Sequence, residues 1–185
     1  MKLSILRSPI NTIQLRAVDH PDSAELNLKL YDIVNKNLTN EVNGGGYRTD
    51  FNLHKKGIDD LTDWIETLLP FIAFEFSGGN RGVVTDTLDW NSLGFNPNSF
   101  KIKECWGIHY NKTQSVVEHN HFPYTMSFLY CVTAPEGSSP FVIEGNPINP
   151  IPGRIIFFLP HQYHNTLPNE SDGRCMITGN ILYVN

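Results

Sequence analysis

The sequence predicts an α+β fold that is mainly β in its C-terminal half. Two stretches before residue 77 carry apolar residues at helical spacing. From Phe100 onward, short runs rich in Val, Ile, Phe, Tyr and Thr alternate with Pro, Gly and Asn clusters, a pattern typical of strands joined by turns. With no internal repeat or linker, we expect one domain over 1–185, with helical support at roughly 20–76 and a β core at roughly 97–185.

The first predicted helix follows Pro21 and Asp22, and Asp22 with Glu25 is placed to form a capping box. Its apolar stripe consists of Leu26, Leu30, Ile33 and Val34. The second helix begins at Asp59 and Asp60, whose carboxylates suit the positive N-terminal end of a helix. Its stripe consists of Leu61, Trp64, Ile65, Leu68 and Leu69. The intervening run 43–46, Asn-Gly-Gly-Gly, lacks the Lys-Ser or Lys-Thr of a phosphate loop, so we expect a flexible loop there.

Six strands are predicted in the C-terminal half, enough for a sandwich or a barrel. Their approximate ranges are 100–110, 115–121, 125–133, 140–144, 153–159 and 174–183.

Composition and charge argue against some classes of function. The net charge of −5 and the pI near 5.7 argue against a surface that binds nucleic acid through its phosphates. Cys105, Cys131 and Cys175 are odd in number and widely spaced, which indicates reduced thiols and a cytoplasmic location. No apolar run is long enough to span a membrane, and no export signal is evident. The sequence leaves a homodimer open.

Three histidines are the candidates for a metal site. His119 and His121 stand two residues apart on a candidate strand, where alternation would place both on one face. His164 follows a later strand and is placed to complete the site from a facing strand. The alternative is that these are ordinary surface or core histidines. The combination favours a metal ion that keeps open positions for a co-substrate and dioxygen.

Arg174 opens the last predicted strand in apolar surroundings, where an unpaired guanidinium is costly. Its planar set of donors suits a carboxylate, so it is a candidate clamp for a dicarboxylic keto acid that chelates the metal. The alternative is a structural ion pair.

These residues resemble the 2-oxoglutarate and iron(II)-dependent oxygenases, most closely the prolyl-hydroxylase-like group of marine phages and bacteria. The matching segments, which cover roughly 100–183, are His119-Asn120-His121, Ser127-Phe128-Leu129-Tyr130, the turn at Gly153, His164 with Pro168-Asn169, and Arg174 with Asn180. A looser match is the stretch 46–50. The resemblance implies a double-stranded β-helix, or jelly-roll, with iron on the three histidines.

The resemblance also implies that Arg174, Tyr110 and Tyr130 bind the co-substrate. Tyr110 lies nine residues before His119, where prolyl-hydroxylase-like members carry a co-substrate tyrosine, although a plain strand aromatic is the alternative. The chain departs from the family at His121, where most members have Asp or Glu, and at Met176, where Ser or Thr is usual. Glu118 and Glu144 are the alternatives that would supply a carboxylate, each with a less favourable position than His121.

The implied reaction couples decarboxylation of 2-oxoglutarate to hydroxylation of a substrate, either a small molecule or a peptide, that the sequence does not identify. One alternative is a cupin-like metal protein, or a three-histidine dioxygenase that needs no keto acid. A second is a binding module with the same fold and no turnover. Arg174 is the feature that discriminates, because only a keto-acid enzyme needs that charge beside the metal.

Overall fold

The computed structural model describes residues 15–76, 96 and 99–184, together with the backbone of a short strand at Leu3–Ser4. In chain order the elements are β1 (Leu3–Ser4), β2 (Leu15–Asp19), α1 (Ser23–Lys36), β3 (Asn40–Glu41), β4 (Tyr47–Arg48), a 3-10 turn (Leu53–Lys55), α2 (Asp59–Phe76), β5 (Phe100–Tyr110), β6 (Val116–His119), β7 (Met126–Thr133), β8 (Phe141–Ile143), β9 (Asn146–Ile148), β10 (Arg154–Phe158), β11 (His164–Thr166) and β12 (Arg174–Tyr183).

The strands form two antiparallel sheets that face each other. The larger has the order β1-β2-β10-β7-β12-β5-β4-β3, and the smaller has the order β6-β11-β8-β9. Strand β12 is central to the larger sheet, since it pairs with β7 on one side and with β5 on the other along most of its length. The larger sheet therefore has one face toward the smaller sheet and one face toward the helices.

Alternation along β12 separates two environments. Cys175, Ile177 and Ile181 belong to the apolar core shared with the helices. Met176 belongs to the second core, between the sheets, and Thr178 lines a cavity on the same side. Because side chains of a strand alternate between faces, one face of β12 packs against the helices and the other faces the interior between the sheets.

The two helices cover the outer face of the larger sheet, as the sequence predicted. Leu26, Leu30 and Val34 of α1 are buried against it, and so is the apolar stripe of α2. Gly107 on β5 permits the close approach of α1, since a Cβ atom there would lie 2.5 Å from Val34 Cγ2. Neither described helix combines the length and hydropathy that crossing a bilayer requires.

The predicted capping box is wrong. Helix α1 begins at Ser23, and Asp22 in the N-cap position makes no side-chain hydrogen bond to the helix backbone. Its backbone N–H instead donates to His20 Nδ1 at 3.1 Å. The N-cap φ and ψ of −123° and 52° leave the side chain out of the arrangement that a capping box requires.

The six predicted strands are present as β5, β6, β7, β8, β10 and β12. The sequence missed β2, which pairs with β10, and the three-residue strands β9 and β11. Strand β11 reads His-Asn-Thr, which has no apolar alternation, and exists because β6 and β8 flank it. The predicted loop at 43–46 is the turn of the β3–β4 hairpin, held by hydrogen bonds between Val42 and Gly45 and between Val42 and Gly46.

We predict that Gly107→Ala lowers the free energy of unfolding by about 1–3 kcal/mol, because the added methyl group overpacks the contact with Val34. Urea unfolding measures this change. Val34→Ala in the same chain removes the opposing methyl groups, so the double variant should lose less than the sum of the two single variants, by about 0.5 kcal/mol or more. Additive losses would show that α1 does not pack on Gly107.

Candidate metal centre and cavity

Three imidazoles converge at one end of the space between the sheets. His119 ends β6 and is paired in register with His164, the first residue of β11. His121 lies two residues beyond β6, where its backbone N–H donates to the Pro160 carbonyl at 2.8 Å. The ring nitrogens of the three residues that could bind a metal lie within 4.8 Å of one another. The predicted cluster therefore forms, although His121 reaches it from the turn after the strand and not from the strand itself.

The hydrogen bonds of two of these rings fix their tautomers. His119 Nδ1 lies 2.9 Å from the Val117 carbonyl oxygen, and His164 Nδ1 lies 3.0 Å from the Gln162 carbonyl oxygen. A carbonyl oxygen only accepts, so each Nδ1 must carry the proton. In a neutral ring with this tautomer the lone pair is on Nε2, which is the form that binds a metal.

The third ring, His121, is bonded through Nδ1 to Ser127 Oγ at 3.0 Å. Its Nε2 lies 3.2 Å from His119 Nε2. Burial, and then the neighbouring imidazoles of His164 and His119, lower the pKa of His121 to about 3. Burial and His119 lower the pKa of His164 to about 4. Both buried rings are therefore neutral at physiological pH, and neutral imidazole is the metal ligand.

No carboxylate joins this cluster among the described residues. Glu118 is exposed to solvent, as expected for a residue that alternates with His119 along the strand. Glu144 accepts a hydrogen bond at 2.7 Å from the Tyr163 N–H and lies outside the cluster. Neither alternative to His121 is supported, so the donor set is three imidazole nitrogens, which suits a divalent transition-metal ion with open positions.

The three histidines line a cavity of about 420 Å³, a size that accommodates a small ligand. Its wall is mainly apolar and aromatic, with Trp106 edge-on to His121 at a centroid distance of 5.5 Å and Phe158 beside His164 at 4.8 Å. Phe122 and Tyr124, which directly follow the histidine pair, also line it. Trp106 and Phe158 are buried and place apolar surface beside the histidines, whereas Phe122 is exposed at the outer part of the cavity.

Arg174 lies on the same inner side of the larger sheet and is fully buried. It is the register partner of Tyr110, and its guanidinium lies 5.1 Å from the centre of that ring. Its Nε, Nη1 and Nη2 have no hydrogen-bond partner in the part of the chain that the structure describes. Burial lowers the pKa of Arg174, with the nearby Tyr110 and Cys131 opposing that shift. A buried guanidinium left without an acceptor is costly.

Tyr110 links Arg174 to the cavity. Its ring lines the cavity, and its hydroxyl interacts with the side chain of Thr166, another lining residue. Thr166 is two residues beyond His164 in β11, so both point to the same side of that strand. Tyr110 therefore lies between the cavity and Arg174, which is not itself one of the residues that line the cavity.

The prediction that Tyr130 binds the co-substrate is wrong. Its side chain belongs to the core under the helices, where its hydroxyl donates to Asn27 Oδ1 of α1 at 2.8 Å and its ring contacts Trp64. Ser127 and Tyr130 are three residues apart in β7, so alternation sends them to opposite faces. Only Ser127 faces the histidines.

Two features of the site were missed in the sequence. Thr166 carries no signal of its own in the sequence, because β11 has no strand pattern. Glu104 was passed over although it alternates with Trp106, Ile108 and Tyr110, and this spacing places it on the cavity face of β5. The period-two pattern was therefore the available signal for Glu104.

No protein-family model matches this sequence, and no curated protein matches it. Among solved structures, the chain is similar to a prolyl-4-hydroxylase of Pseudomonas putida, with a TM-score of 0.66, 15% identity, and coverage of 94% of this chain and 95% of that chain. It is also similar to the viral collagen prolyl hydroxylase of Paramecium Bursaria Chlorella virus-1, solved as a 2OG complex, with a TM-score of 0.62, 16% identity, and coverage of 92% and 96%.

A third similar structure is SnoN, a non-heme alpha ketoglutarate dependent epimerase from nogalamycin biosynthesis. Its TM-score is 0.65 at 9% identity, with coverage of 91% of this chain and 78% of that chain. Identities this low establish the fold alone. Together with the two facing antiparallel sheets, they confirm the predicted double-stranded β-helix and, at the level of the fold, the resemblance to prolyl-hydroxylase-like oxygenases.

We predict that His164→Ala weakens the binding of cobalt(II) or iron(II) by more than about 100-fold. The loss of a direct metal ligand should reduce the affinity at least as much as the loss of a group that hydrogen-bonds to a ligand. Equilibrium dialysis of the metal-free protein under anaerobic conditions measures the affinity. His161→Ala is the matched control, since His161 is exposed and lies three residues upstream. Equal affinities for the two variants would contradict a metal centre at these histidines.

Proposed function

We propose that this protein is an iron(II) dioxygenase that couples the oxidative decarboxylation of 2-oxoglutarate to the hydroxylation of a substrate. His119, His121 and His164 would hold the iron, and Arg174 would bind the distal carboxylate of the keto acid. The observation that carries the proposal is a cluster of three imidazoles together with a fully buried guanidinium that has no hydrogen-bond partner among the described residues.

The histidine cluster fits iron(II). The Nδ1 atoms of His119 and His164 donate to backbone carbonyls, which leaves Nε2 to face the metal, and imidazole is a suitable ligand for this ion. Three protein ligands leave coordination positions for a chelating keto acid and for dioxygen. Bound iron with 2-oxoglutarate supplies the oxidation, which yields succinate and carbon dioxide and transfers one oxygen atom to a C–H bond.

Arg174 fits the distal carboxylate of the co-substrate. The fork of guanidinium donors matches a carboxylate in two parallel hydrogen bonds. Tyr110 and Thr166 lie between the histidines and Arg174, where their hydroxyl groups can orient a ligand that reaches both ends. The structures of similar fold are described as prolyl hydroxylases or as alpha ketoglutarate dependent enzymes, which supports the same assignment.

The protein's own task is to bind, orient and exclude water. The aromatic wall around His121 and His164 keeps the inner side of the metal position dry. The outer part of the cavity carries exposed apolar side chains, including Phe51 and Phe122, with Arg48 stacked on Phe51 at 4.1 Å. This rim is where we place the substrate, a small molecule or a peptide. The three buried, unpaired cysteines support a cytoplasmic location.

A three-histidine dioxygenase or cupin-like protein that needs no keto acid is the second candidate. Three imidazoles without a carboxylate are the observation in its favour. Arg174 argues against it, because a metal site that binds no anion gains nothing from a buried cation that lacks a partner.

Anaerobic titration of iron(II), followed by 2-oxoglutarate, into the metal-free protein tests the proposal. We expect the weak visible metal-to-ligand band that such chelates show, and we expect it to disappear in His119→Ala. Iron binding without the band, together with no release of succinate in air, would favour the second candidate.

We predict that Arg174→Met leaves iron binding intact but weakens 2-oxoglutarate by at least about 30-fold, because truncating one partner of a buried charge pair costs about 2 kcal/mol or more. Isothermal titration calorimetry on the iron-loaded protein measures the affinity. Arg154→Met is the matched control, since Arg154 pairs with Asp19 away from the histidines.

Stability distinguishes the two roles of Arg174. If it serves the ligand, Arg174→Met should leave the free energy of unfolding of the ligand-free protein unchanged or higher, by up to about 4 kcal/mol. A structural ion pair would instead make the variant less stable by about 3–5 kcal/mol. That loss, with unchanged affinity for the keto acid, would refute the clamp.

A further inference from the structure

We propose that Glu104 acts through Asn180 and Ser127 to polarise and orient His121, so that this imidazole brings to the metal part of the negative charge that a carboxylate ligand would bring. This inference rests on the proposed function, in that it assigns the groups that adapt a three-histidine site to iron. It makes Glu104, Asn180 and Ser127 positioning residues, since none of them joins the metal-binding cluster.

The four side chains form one continuous chain of hydrogen bonds. His121 Nδ1 lies 3.0 Å from Ser127 Oγ, which lies 2.9 Å from Asn180 Oδ1. Asn180 Nδ2 lies 3.2 Å from Glu104 Oε2. Ser127 is fully buried, and Asn180 is 3% exposed. Groups buried to this degree keep their hydrogen bonds, because water cannot replace them.

The carboxylate fixes the direction of every bond in this chain. Glu104 only accepts, so the amide NH₂ of Asn180 must face it, and the amide oxygen must face Ser127. The Ser127 hydroxyl then donates to Asn180, which leaves its oxygen to accept from His121 Nδ1. His121 is thereby fixed as the Nδ1–H tautomer, with its Nε2 lone pair directed to the cluster.

Strand pairing places Glu104, Asn180 and Ser127 side by side in the larger sheet, as one row of side chains. Asn180 of β12 is the register partner of Glu104 in β5 and of Ser127 in β7. All three positions lie on the inner face, so the row crosses three adjacent strands at one level. Gly179 keeps the strands close there, since a Cβ atom would lie 2.6 Å from the Glu104 carbonyl oxygen and from the Phe128 ring.

His121 differs in this respect from the other two histidines. The Nδ1 atoms of His119 and His164 donate to backbone carbonyls, which carry no net charge. Only the Nδ1 of His121 leads to a carboxylate. A carboxylate at the end of such a chain increases the basicity of the ring and its donation to a metal, as it does when it contacts a ligating histidine directly. Three neutral ligands leave the charge of a divalent ion uncompensated, so this residue is where the compensation is needed.

Two measurements test this row: the affinity for a metal ion, and the tautomer of the His121 ring in the metal-free protein. Cobalt(II), which serves as a spectroscopic probe without turnover, should bind Ser127→Ala about 10- to 100-fold more weakly than wild type. Glu104→Gln, which keeps the size of the side chain and removes its charge, should weaken binding in the same direction. The double variant Ser127→Ala/Glu104→Gln should be no weaker than Ser127→Ala alone, because the first change already disconnects Glu104.

Nitrogen-15 NMR of the histidine rings provides the second measurement. In wild type the His121 ring should show the Nδ1–H tautomer, and Ser127→Ala should lose that preference while His119 and His164 keep theirs. Thr133→Val is the matched control: Thr133 lies in β7, as Ser127 does, but its hydroxyl donates to the Gly173 carbonyl at 2.7 Å and it does not line the cavity. It should change neither the tautomer nor the affinity for cobalt.

The outcomes separate this inference from the proposed function. Equal cobalt affinity in wild type and Ser127→Ala, or additive losses in the double variant, overturns the row even if 2-oxoglutarate is consumed. Non-additive losses together with an altered His121 tautomer support the row even if no keto acid binds, in which case only the proposed function fails. A loss of affinity equal to that of Thr133→Val would assign Ser127 a purely structural role.

Discussion

The antiparallel pairing of β12 with β7 and β5 is the constraint on which the rest of this structure depends. It divides each of the three strands into residues that face the helices and residues that face the interior. One face can then be wholly apolar and carry the stability of the fold, through side chains such as Phe128 and Ile177. The other face is free to hold Ser127, Arg174 and Asn180, which would be costly anywhere in an apolar core.

The two ends of the interior differ in how their polar groups are satisfied. At the histidine end each Nδ1 has an acceptor, so the rings are held in defined orientations before any metal arrives. At the Arg174 end the guanidinium lies beside the Tyr110 ring and has no hydrogen-bond partner among the described residues. One end is preorganised and the other carries unsatisfied charge, which is the arrangement expected if a ligand completes it.

In the proposed metal site, a histidine would take the place of one carboxylate ligand. A histidine in the third position has no charge of its own at neutral pH, because burial and the adjacent imidazoles keep its pKa low. Its second nitrogen, however, donates a hydrogen bond to the protein interior, whereas the second oxygen of a ligating carboxylate can only accept one. The row from Ser127 to Glu104 uses that nitrogen, and Tyr124, whose pKa is raised by burial and by its hydrogen bond to Glu104, adds a second contact to the carboxylate.

Local patterns in the sequence were enough to predict the long helices and strands and to identify the residues of the histidine cluster. Helical spacing located α1 and α2, alternation located six strands, and the identities of His119, His121, His164 and Arg174 indicated a metal and an anion. These signals are local, because periodicity and residue type depend only on residues that are close together in the sequence. Contacts between residues far apart in the chain could be seen only in the tertiary structure. Strand β11 exists only because it is flanked on both sides, Tyr130 points to α1 because β7 alternates, and Glu104 meets Asn180 only through the register of β5 against β12. Register brings together residues 76 positions apart, and no spacing within one segment encodes that distance.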